Sequence, residues 1–303
     1  MSAKTAAVKL VLLALLALTA RTQAADAPSH VTIAGLDVAV WKPAGSTPLT
    51  GFPVVVFSHG FMGCNTQSIF LMEALAQAGY LVVAPNHKDA RCGTAQKDSS
   101  WYPGKMLGRS RPQQRFGDPK DWSDSTYRDR HDDIEAVLNV VLHDPTFQGV
   151  AVDHDRVAIA GHSLGGYTAL GMARAWPSWK DKRIQAVLAL SPYCAPYSSK
   201  GALGHMGVPV MYQGGTRDLG ITPTVKRPQG CYDLSSSPEY FVDFDGASHF
   251  AWTNLVKEHQ APISQYSVAF FDRYLQHADP DPLTPLIGNK HPAGVSEVRA
   301  AGK

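Results

Sequence analysis

The sequence predicts an α/β fold, in which a mostly parallel sheet carries helices on both faces. Short, fully apolar runs rich in β-branched residues, such as residues 54–57, are typical of buried parallel strands. These runs alternate with segments whose apolar residues recur at helical spacing, such as residues 69–76. A chain of 303 residues could form one large domain or two small ones, and the regular alternation favours one.

The first 24 residues have the pattern of a secretory signal peptide. Lys4 and Lys9 form a charged start before an apolar run at residues 10–20, and Thr22-Gln23-Ala24 resembles a cleavage site with small residues. The run is too short to span a bilayer, although a retained membrane anchor is an alternative. We therefore expect a secreted or periplasmic protein with a single domain over residues 25–303.

The strands and helices are predicted in a simple order along the chain. An opening strand region and the first buried strand precede a helix and a second strand, and a further helix leads into four more strands and a closing helix. The strand segments are residues 31–41, 54–57, 80–84, 156–160, 184–190, 208–212 and 240–244; the helical ones are residues 69–76, 134–142 and 263–274. A tail rich in Pro, Gly and Ala, residues 279–303, is expected to lie on the surface or to be disordered.

Two long connections interrupt this order, at residues 88–125 and 219–238. Connections of that length in a compact domain are usually functional. Residues 99–116 of the first carry four basic residues, no acidic residue, and aromatic residues that include Trp101. They leave the sheet at its carboxyl edge, so the insert is expected either to cover a site there as a lid or to be a solvated surface loop.

The charge and the cysteines limit the possible partners and the compartment. The net charge is +2, and loss of Lys4, Lys9 and Arg21 with the signal would leave −1, so nothing favours nucleic-acid binding. Four cysteines in an exported chain suggest two disulfides, with free buried thiols as the alternative. Because of the strands that they follow, we expect the pairs Cys64–Cys92 and Cys194–Cys231.

Residues 157–165 contain the motif that carries most chemical information. A β-branched strand enters Gly161-His162-Ser163-Leu164-Gly165, and a helical segment follows, which is the pattern of a nucleophile elbow. The serine of such an elbow sits on a strained turn that exposes its Oγ, while the glycines relieve crowding. Ser163 is therefore the candidate nucleophile, with an ordinary turn serine as the alternative.

A serine nucleophile needs a base and an acid, which in this arrangement follow later strands in the order serine, acid, histidine. Asp218 follows the strand at residues 208–212, although Asp243 or Asp245 could take its role. His249 follows the strand at residues 240–244 and is the candidate base, unless it is a surface histidine. His162, within the elbow, is expected to serve in packing or in a hydrogen bond, and His87 is expected to be structural or to line the pocket.

Acyl transfer also requires donors for the developing oxyanion. The backbone N–H of Leu164, directly after the nucleophile, is one candidate, and that of Phe61, in the loop after the first buried strand, is the other. A plain tight turn is the alternative for the glycines of that loop. Phe61, Tyr193 and Trp101 are expected to contact the substrate.

The sequence contains no metal-ligand spacing and no phosphate-binding loop, so neither a metal nor a cofactor is expected.

Four motifs together resemble the α/β-hydrolase superfamily. They are Ser58-His59-Gly60-Phe61, Gly161-His162-Ser163-Leu164-Gly165-Gly166, Gly215-Thr216-Arg217-Asp218 and Gly246-Ala247-Ser248-His249. Within the superfamily the chain is similar to the dienelactone hydrolase-like branch, which includes platelet-activating-factor acetylhydrolase-like lipases and cutinase-like polyester hydrolases. The resemblance implies the α/β-hydrolase fold, the triad of Ser163, Asp218 and His249, and an oxyanion hole at Phe61 and Leu164.

Three features depart from that branch. Dienelactone hydrolases proper use a cysteine nucleophile where this chain has Ser163. Polyester hydrolases commonly place a tryptophan after the strand that follows the elbow helix, where this chain has Ser191-Pro192-Tyr193. Neither group is expected to carry an insert as long as residues 88–125.

The sequence therefore predicts a serine hydrolase that cleaves carboxylic esters through an acyl-enzyme. An amidase or peptidase with the same triad and a non-catalytic binding module on the same fold are the alternatives. We expect a small-molecule, lipid or polymer ester as substrate, no nucleic-acid partner, no stable membrane insertion, and a monomer.

Overall fold

The computed structural model of the chain describes residues 27–91, 112–236, 238–288 and 291–302. The predicted signal peptide at residues 1–24 lies outside the described residues. So do residues 92–111, which hold most of the predicted insert, including Cys92 and Trp101.

The described residues form one ten-stranded sheet with a parallel centre. Its strands are β1 (Ser29–Ile33), β2 (Leu36–Trp41), β3 (Phe52–Ser58), β4 (Leu81–Pro85), β5 (Thr146–Phe147), β6 (Val150–His162), β7 (Ile184–Leu190), β8 (Val210–Gly215), β9 (Glu239–Phe244) and β10 (Val295–Ala301). The order is β1-β2-β4-β3-β6-β7-β8-β9-β10, and β5 pairs with β6. From β4 to β9 each neighbouring pair is parallel, whereas β1, β2 and β10 extend the sheet by antiparallel pairing.

Helices cover both faces of this sheet. They are α1 (Ile69–Gln77), α2 (Arg128–Val141), α3 (Leu164–Leu170), α4 (Ala195–Ser198), α5 (Thr222–Lys226) and α6 (Gln260–Phe271). A hydrophobic core lies on each face of the sheet, because successive side chains of a strand point to opposite faces. Val54 and Val56 pack with α2 and α3 in one core, and Val55 and Phe57 pack with α1 and α6 in the other. The predicted α/β-hydrolase fold is confirmed.

The two ends of the sheet differ from the sequence prediction. The opening strand region is a hairpin, in which Ala34 and Gly35 take positive φ values of 50° and 81° between β1 and β2. Of the two alternatives for the tail, a surface position or disorder, disorder is wrong for Val295–Ala301, which forms the mostly half-exposed edge strand β10 against β9. Without β10 this edge of β9 would lack backbone partners, and Val298 and Ala300 of β10 pack against the core below it.

The predicted disulfide between Cys194 and Cys231 is present. It joins the start of α4 to the segment after α5, and the two cysteines are 37 residues apart. In the chain-entropy model a loop of that size contributes roughly 3–4 kcal/mol to stability. The pair Cys64–Cys92 stays a prediction, because Cys92 lies outside the described residues.

Candidate active site

Ser163 sits at the sharp turn between β6 and α3. Its φ of 55° and ψ of −115° are unusual for a residue with a side chain and are the strained geometry expected of an elbow. A Cβ on Gly161 would collide with the Gly165 carbonyl, and a Cβ on Gly165 would collide with the Ser58 carbonyl. The two flanking glycines are therefore required by the close approach of backbones around the turn.

His249 approaches this serine from the loop after β9. Its Nε2 lies 3.0 Å from Ser163 Oγ, which is hydrogen-bond distance. The His249 side chain is 28% exposed, so it can exchange protons with solvent from the open side of the site. This distance is suitable for a base that removes the serine proton.

Asp218 lies behind His249, in the turn after β8. Its Oδ1 is 3.3 Å from His249 Nδ1, and its Oδ2 accepts a hydrogen bond of 3.0 Å from Thr222 Oγ1. Burial alone raises the pKa of Asp218, but hydrogen bonds from His249, Ser191 and Thr222 outweigh burial and lower it. Asp218 is therefore a buried carboxylate oriented at the imidazole.

The two alternative acids are engaged elsewhere. Asp243 Oδ2 lies 2.6 Å from Lys226 Nζ. Asp245 Oδ1 accepts a long hydrogen bond of 3.4 Å from Thr216 Oγ1. The structure thus brings Asp218 to His249 and gives the other two carboxyls different partners.

Ser191, which the sequence analysis did not select, also contacts this pair. It follows β7, and its Oγ lies 2.5 Å from Asp218 Oδ2 and 2.8 Å from His249 Nδ1. The available signal was its place at the carboxyl end of the strand between the nucleophile strand β6 and the acid strand β8.

His162 braces the loop that carries His249. Its Nε2–H donates to the His249 carbonyl at 2.9 Å, and its Nδ1 accepts from Gln67 Nε2 at 3.1 Å. Gln67 Oε1 in turn accepts from the Gly60 N–H at 3.0 Å. Burial, and then the neighbouring His249, lowers the pKa of His162 to about 3, so its ring stays neutral. This chain of hydrogen bonds connects residues 58–62, named here the oxyanion loop for their proposed role, with the elbow and with the loop of His249 after β9.

The loop after β3 passes directly beside the nucleophile. A Cβ on Gly60 would lie 3.4 Å from Ser163 Cβ, and Phe61 is the next residue in the loop. Leu164 is the first residue of α3, where backbone N–H groups lack partners within the helix. Both proposed oxyanion donors are thus near Ser163, although the sequence expectation that they bind the oxyanion stays a prediction.

A buried ion pair between Arg130 and Asp89 holds the loop after β3 in place. Arg130 donates from Nη1 to the His59 carbonyl at 2.7 Å and from Nη2 to both oxygens of Asp89, at 2.8 and 2.9 Å. Asp89 Oδ2 also accepts from the Met62 N–H at 3.0 Å. The Arg130 side chain is 1% exposed. A backbone segment on each side of Phe61 is therefore tied to the same ion pair.

Two neutral histidines complete this cluster. His87 lies 2.9 Å from Ser58 Oγ through Nε2 and 2.8 Å from Asp133 Oδ2 through Nδ1. His59 Nδ1–H donates to the Gly60 carbonyl at 2.7 Å. Burial, and then the Arg130 charge, keeps the pKa of both rings well below the ordinary value. His87 is thus buried and hydrogen-bonded on both ring nitrogens, which fits the structural one of the two roles expected of it.

Aromatic side chains form a wall next to the elbow. The Phe116 ring lies 5.7 Å from the Phe61 ring and 4.9 Å from the Tyr193 ring, both edge-on. The Tyr193 hydroxyl donates to the Phe116 carbonyl at 2.5 Å. The Phe61 and Tyr193 rings thus both contact the Phe116 ring, while their expected contact with substrate stays a prediction. The third predicted substrate contact, Trp101, lies outside the described residues.

One group of side chains among the described residues has the spacing of a metal site. His131, Asp132 and Glu135 on α2 could each offer a ligand atom. Asp132 Oδ1, however, lies 2.8 Å from His131 Nδ1 and accepts from Arg128 Nε at 3.1 Å. These contacts account for the Asp132 oxygen without an ion.

Comparison with known proteins decides the family. The PET hydrolase-like family matches residues 123–282, which is more than half of the chain. The chain belongs to this family. Residues 23–101 also match the family of platelet-activating factor acetylhydrolase, isoform II. The predicted relationship to the α/β-hydrolases, and to the polyester hydrolase and acetylhydrolase groups among them, is confirmed.

Individual relatives agree with that assignment. Cutinase est2 from Thermobifida alba is 25% identical over 78% of this chain and 67% of its own length. Cutinase 2 from Thermobifida cellulosilytica is 24% identical over 78% of this chain and 76% of its own length. Chlorophyllase type 0 from Chenopodium album is 25% identical over 67% of this chain and 53% of its own length. This member of the PET hydrolase-like family is a serine carboxylic-ester hydrolase.

Proposed function

We propose that the chain cleaves carboxylic esters through an acyl-enzyme on Ser163, with His249 as general base and Asp218 as the acid that orients it. The observation that carries this proposal is the 3.0 Å contact between His249 Nε2 and the Oγ of an elbow serine. A buried carboxylate behind the same imidazole supports it.

The reaction has two stages. His249 Nε2 accepts the proton of Ser163 as Oγ attacks the ester carbonyl, and the N–H groups of Leu164 and Phe61 stabilise the oxyanion. The imidazolium returns the proton to the leaving alcohol, and Ser163 keeps the acyl group. Water, deprotonated by His249, then attacks the acyl carbon; the imidazolium gives that proton to Ser163 Oγ as the bond to the acyl group breaks and the acid leaves.

The substrate is proposed to be an ester with an apolar acyl or aryl part. The wall of Phe61, Phe116 and Tyr193 supports this proposal, because Phe61 follows Gly60, which lies beside Ser163, and the Tyr193 N–H donates to the Ser163 carbonyl at 3.0 Å. Relatives named cutinases, and a family named for PET hydrolysis, favour ester over amide bonds.

We also propose that the protein is exported, with residues 1–24 removed as a signal peptide and residues 25–303 forming one domain. Among the described residues no helix is both long and apolar enough to cross a membrane.

Hydrolysis of p-nitrophenyl butyrate by the purified protein tests the catalytic assignment. Ser163→Ala should lower kcat on the order of 10⁴-fold or more, because no other group supplies the nucleophile. Ser178→Ala, a change at an exposed serine, is the control and should leave kcat unchanged. Turnover near the wild-type rate by a folded Ser163→Ala protein would contradict the proposal.

A further inference from the structure

The contact between acid and base in this site is longer than the contacts that each makes with Ser191. Asp218 Oδ1 lies 3.3 Å from His249 Nδ1, whereas Ser191 Oγ lies 2.8 Å from the same nitrogen and 2.5 Å from Asp218 Oδ2. The Ser191 hydroxyl therefore lies where a bridge between the carboxylate and the imidazole would lie.

We propose that Ser191 is a positioning residue of the catalytic site, whose hydroxyl links Asp218 to His249 and selects the imidazole tautomer that can accept the Ser163 proton. This inference rests on the proposed function of Ser163 and His249.

The donors and acceptors of the bridge fix the tautomer. An ionised carboxylate can only accept, so the single Ser191 hydroxyl proton is donated to Asp218 Oδ2. Ser191 Oγ can then only accept from His249 Nδ1, which must carry a proton. In a neutral imidazole that leaves Nε2 with a free lone pair, directed at Ser163 Oγ at 3.0 Å.

The same bridge suits the charged form of the base. When Nε2 takes the Ser163 proton, Nδ1–H continues to donate to Ser191 Oγ, and no proton moves along the bridge. The positive charge on the ring then faces a hydroxyl polarised by the Asp218 carboxylate.

The backbone of Ser191 gives an independent indication of a role for the side chain. Its φ is 41°, in the left-handed region that favours glycine, and the residue is completely buried. The Ser191 N–H donates to the Gln213 carbonyl at 2.7 Å, which holds the residue at the end of β7. Glycine would fit this backbone with less strain, yet the position carries a hydroxyl that is fully used by the acid and the base.

Ser191→Gly tests the bridge because it removes the hydroxyl and suits the left-handed backbone. We expect kcat for p-nitrophenyl butyrate to fall about 10- to 100-fold, a part of the roughly 10²–10⁴-fold that general base catalysis supplies. KM should change less than about twofold, because Ser191 does not touch the substrate. Ser199→Ala is the control, since that hydroxyl binds the Pro196 carbonyl of the same segment.

A double variant separates positioning from general distortion. If Ser191 acts through the imidazole, Ser191→Gly should lower the residual kcat less than about twofold in a His249→Ala background. A distorted elbow would cost the same factor in both backgrounds. The Nδ1 proton resonance of His249, identified by its loss in His249→Ala, should shift in Ser191→Gly and stay in place in Ser199→Ala.

Wild-type kcat in Ser191→Gly, or an equal loss with and without His249, would overturn the assignment of Ser191. The proposed function fails by a different result, namely full activity of Ser163→Ala or His249→Ala. The two failures are therefore distinguishable within one set of variants.

Discussion

The two sides of the active site are built from different interactions. On the side of the base, His249 is partly exposed and contacts neutral hydroxyls and one carboxylate. On the side of the oxyanion loop, residues 58–62 are held by the buried Arg130–Asp89 ion pair and by two neutral histidines. In the proposed mechanism the first side contains the group that changes charge, and the second contains a fixed ion pair under the loop that carries a proposed backbone donor.

This difference matches the two tasks. A base must accept and release a proton, so access to solvent and adjustable hydrogen bonds suit it. An oxyanion hole is effective when its donors are already in place before charge develops, because reorganisation then costs nothing. We therefore expect changes on the base side to affect kcat with little effect on folding, and changes under the oxyanion loop to affect both.

Arg130→Met should give the largest loss of stability. It leaves Asp89 without its buried partner and the His59 carbonyl without its donor, so we expect unfolding free energy to fall by about 3–5 kcal/mol. Chemical denaturation measures this. Arg128→Ala on the same helix breaks an exposed pair with Asp132 and should cost less than about 1 kcal/mol. Equal losses in the two variants would remove the contrast between buried and exposed pairs.

The stability of the same cluster should depend on pH. Burial alone raises the pKa of Asp89, but the charge of Arg130 acts against burial, and the pKa is lowered. A carboxyl whose pKa is lower in the folded than in the unfolded state stabilises the fold at pH values above its unfolded pKa of about 4. This contribution is lost as the pH falls through the folded pKa. Asp89→Asn should therefore lose less stability than wild type on acidification from pH 5 to lower values. Parallel curves of unfolding free energy against pH would contradict this.

Gln67 connects the two sides, so its variants should show an effect that is shared between them. Gln67→Leu leaves the Gly60 N–H and His162 Nδ1 without partners, at about 1–3 kcal/mol for each buried group. Gln67→Glu keeps an acceptor for Gly60 but loses the donor to His162, and should retain more stability and more kcat than Gln67→Leu. Identical kinetics and melting curves for the two variants would show that the connection has no effect.

The sequence was sufficient to predict the central strands and to select Ser163, Asp218 and His249 as side chains that the fold brings together. Each of these residues follows a recognisable buried strand, and carboxyl ends of parallel strands meet at one edge. The elbow glycines add a local steric signal that does not depend on distant residues. The disulfide between Cys194 and Cys231 followed from the same argument.

The supporting residues could not be predicted in the same way. Ser191, Gln67 and Arg130 act through contacts between segments far apart in sequence, such as the 58 positions that separate Ser191 from His249. Their residue types are common and follow no motif. β10 was missed because its residues are mostly half-exposed, so it lacks the apolar run by which the central strands were recognised.

The central claim is that His249 activates Ser163, and covalent labelling with a fluorophosphonate tests it most directly. Mass spectrometry of the digested wild-type protein should place the phosphonyl group on Ser163, because the probe reacts with an activated serine hydroxyl. Ser163→Ala should not be labelled, and His249→Ala should be labelled far more slowly. Labelling at another serine, or none in a preparation that hydrolyses p-nitrophenyl butyrate, would contradict the account.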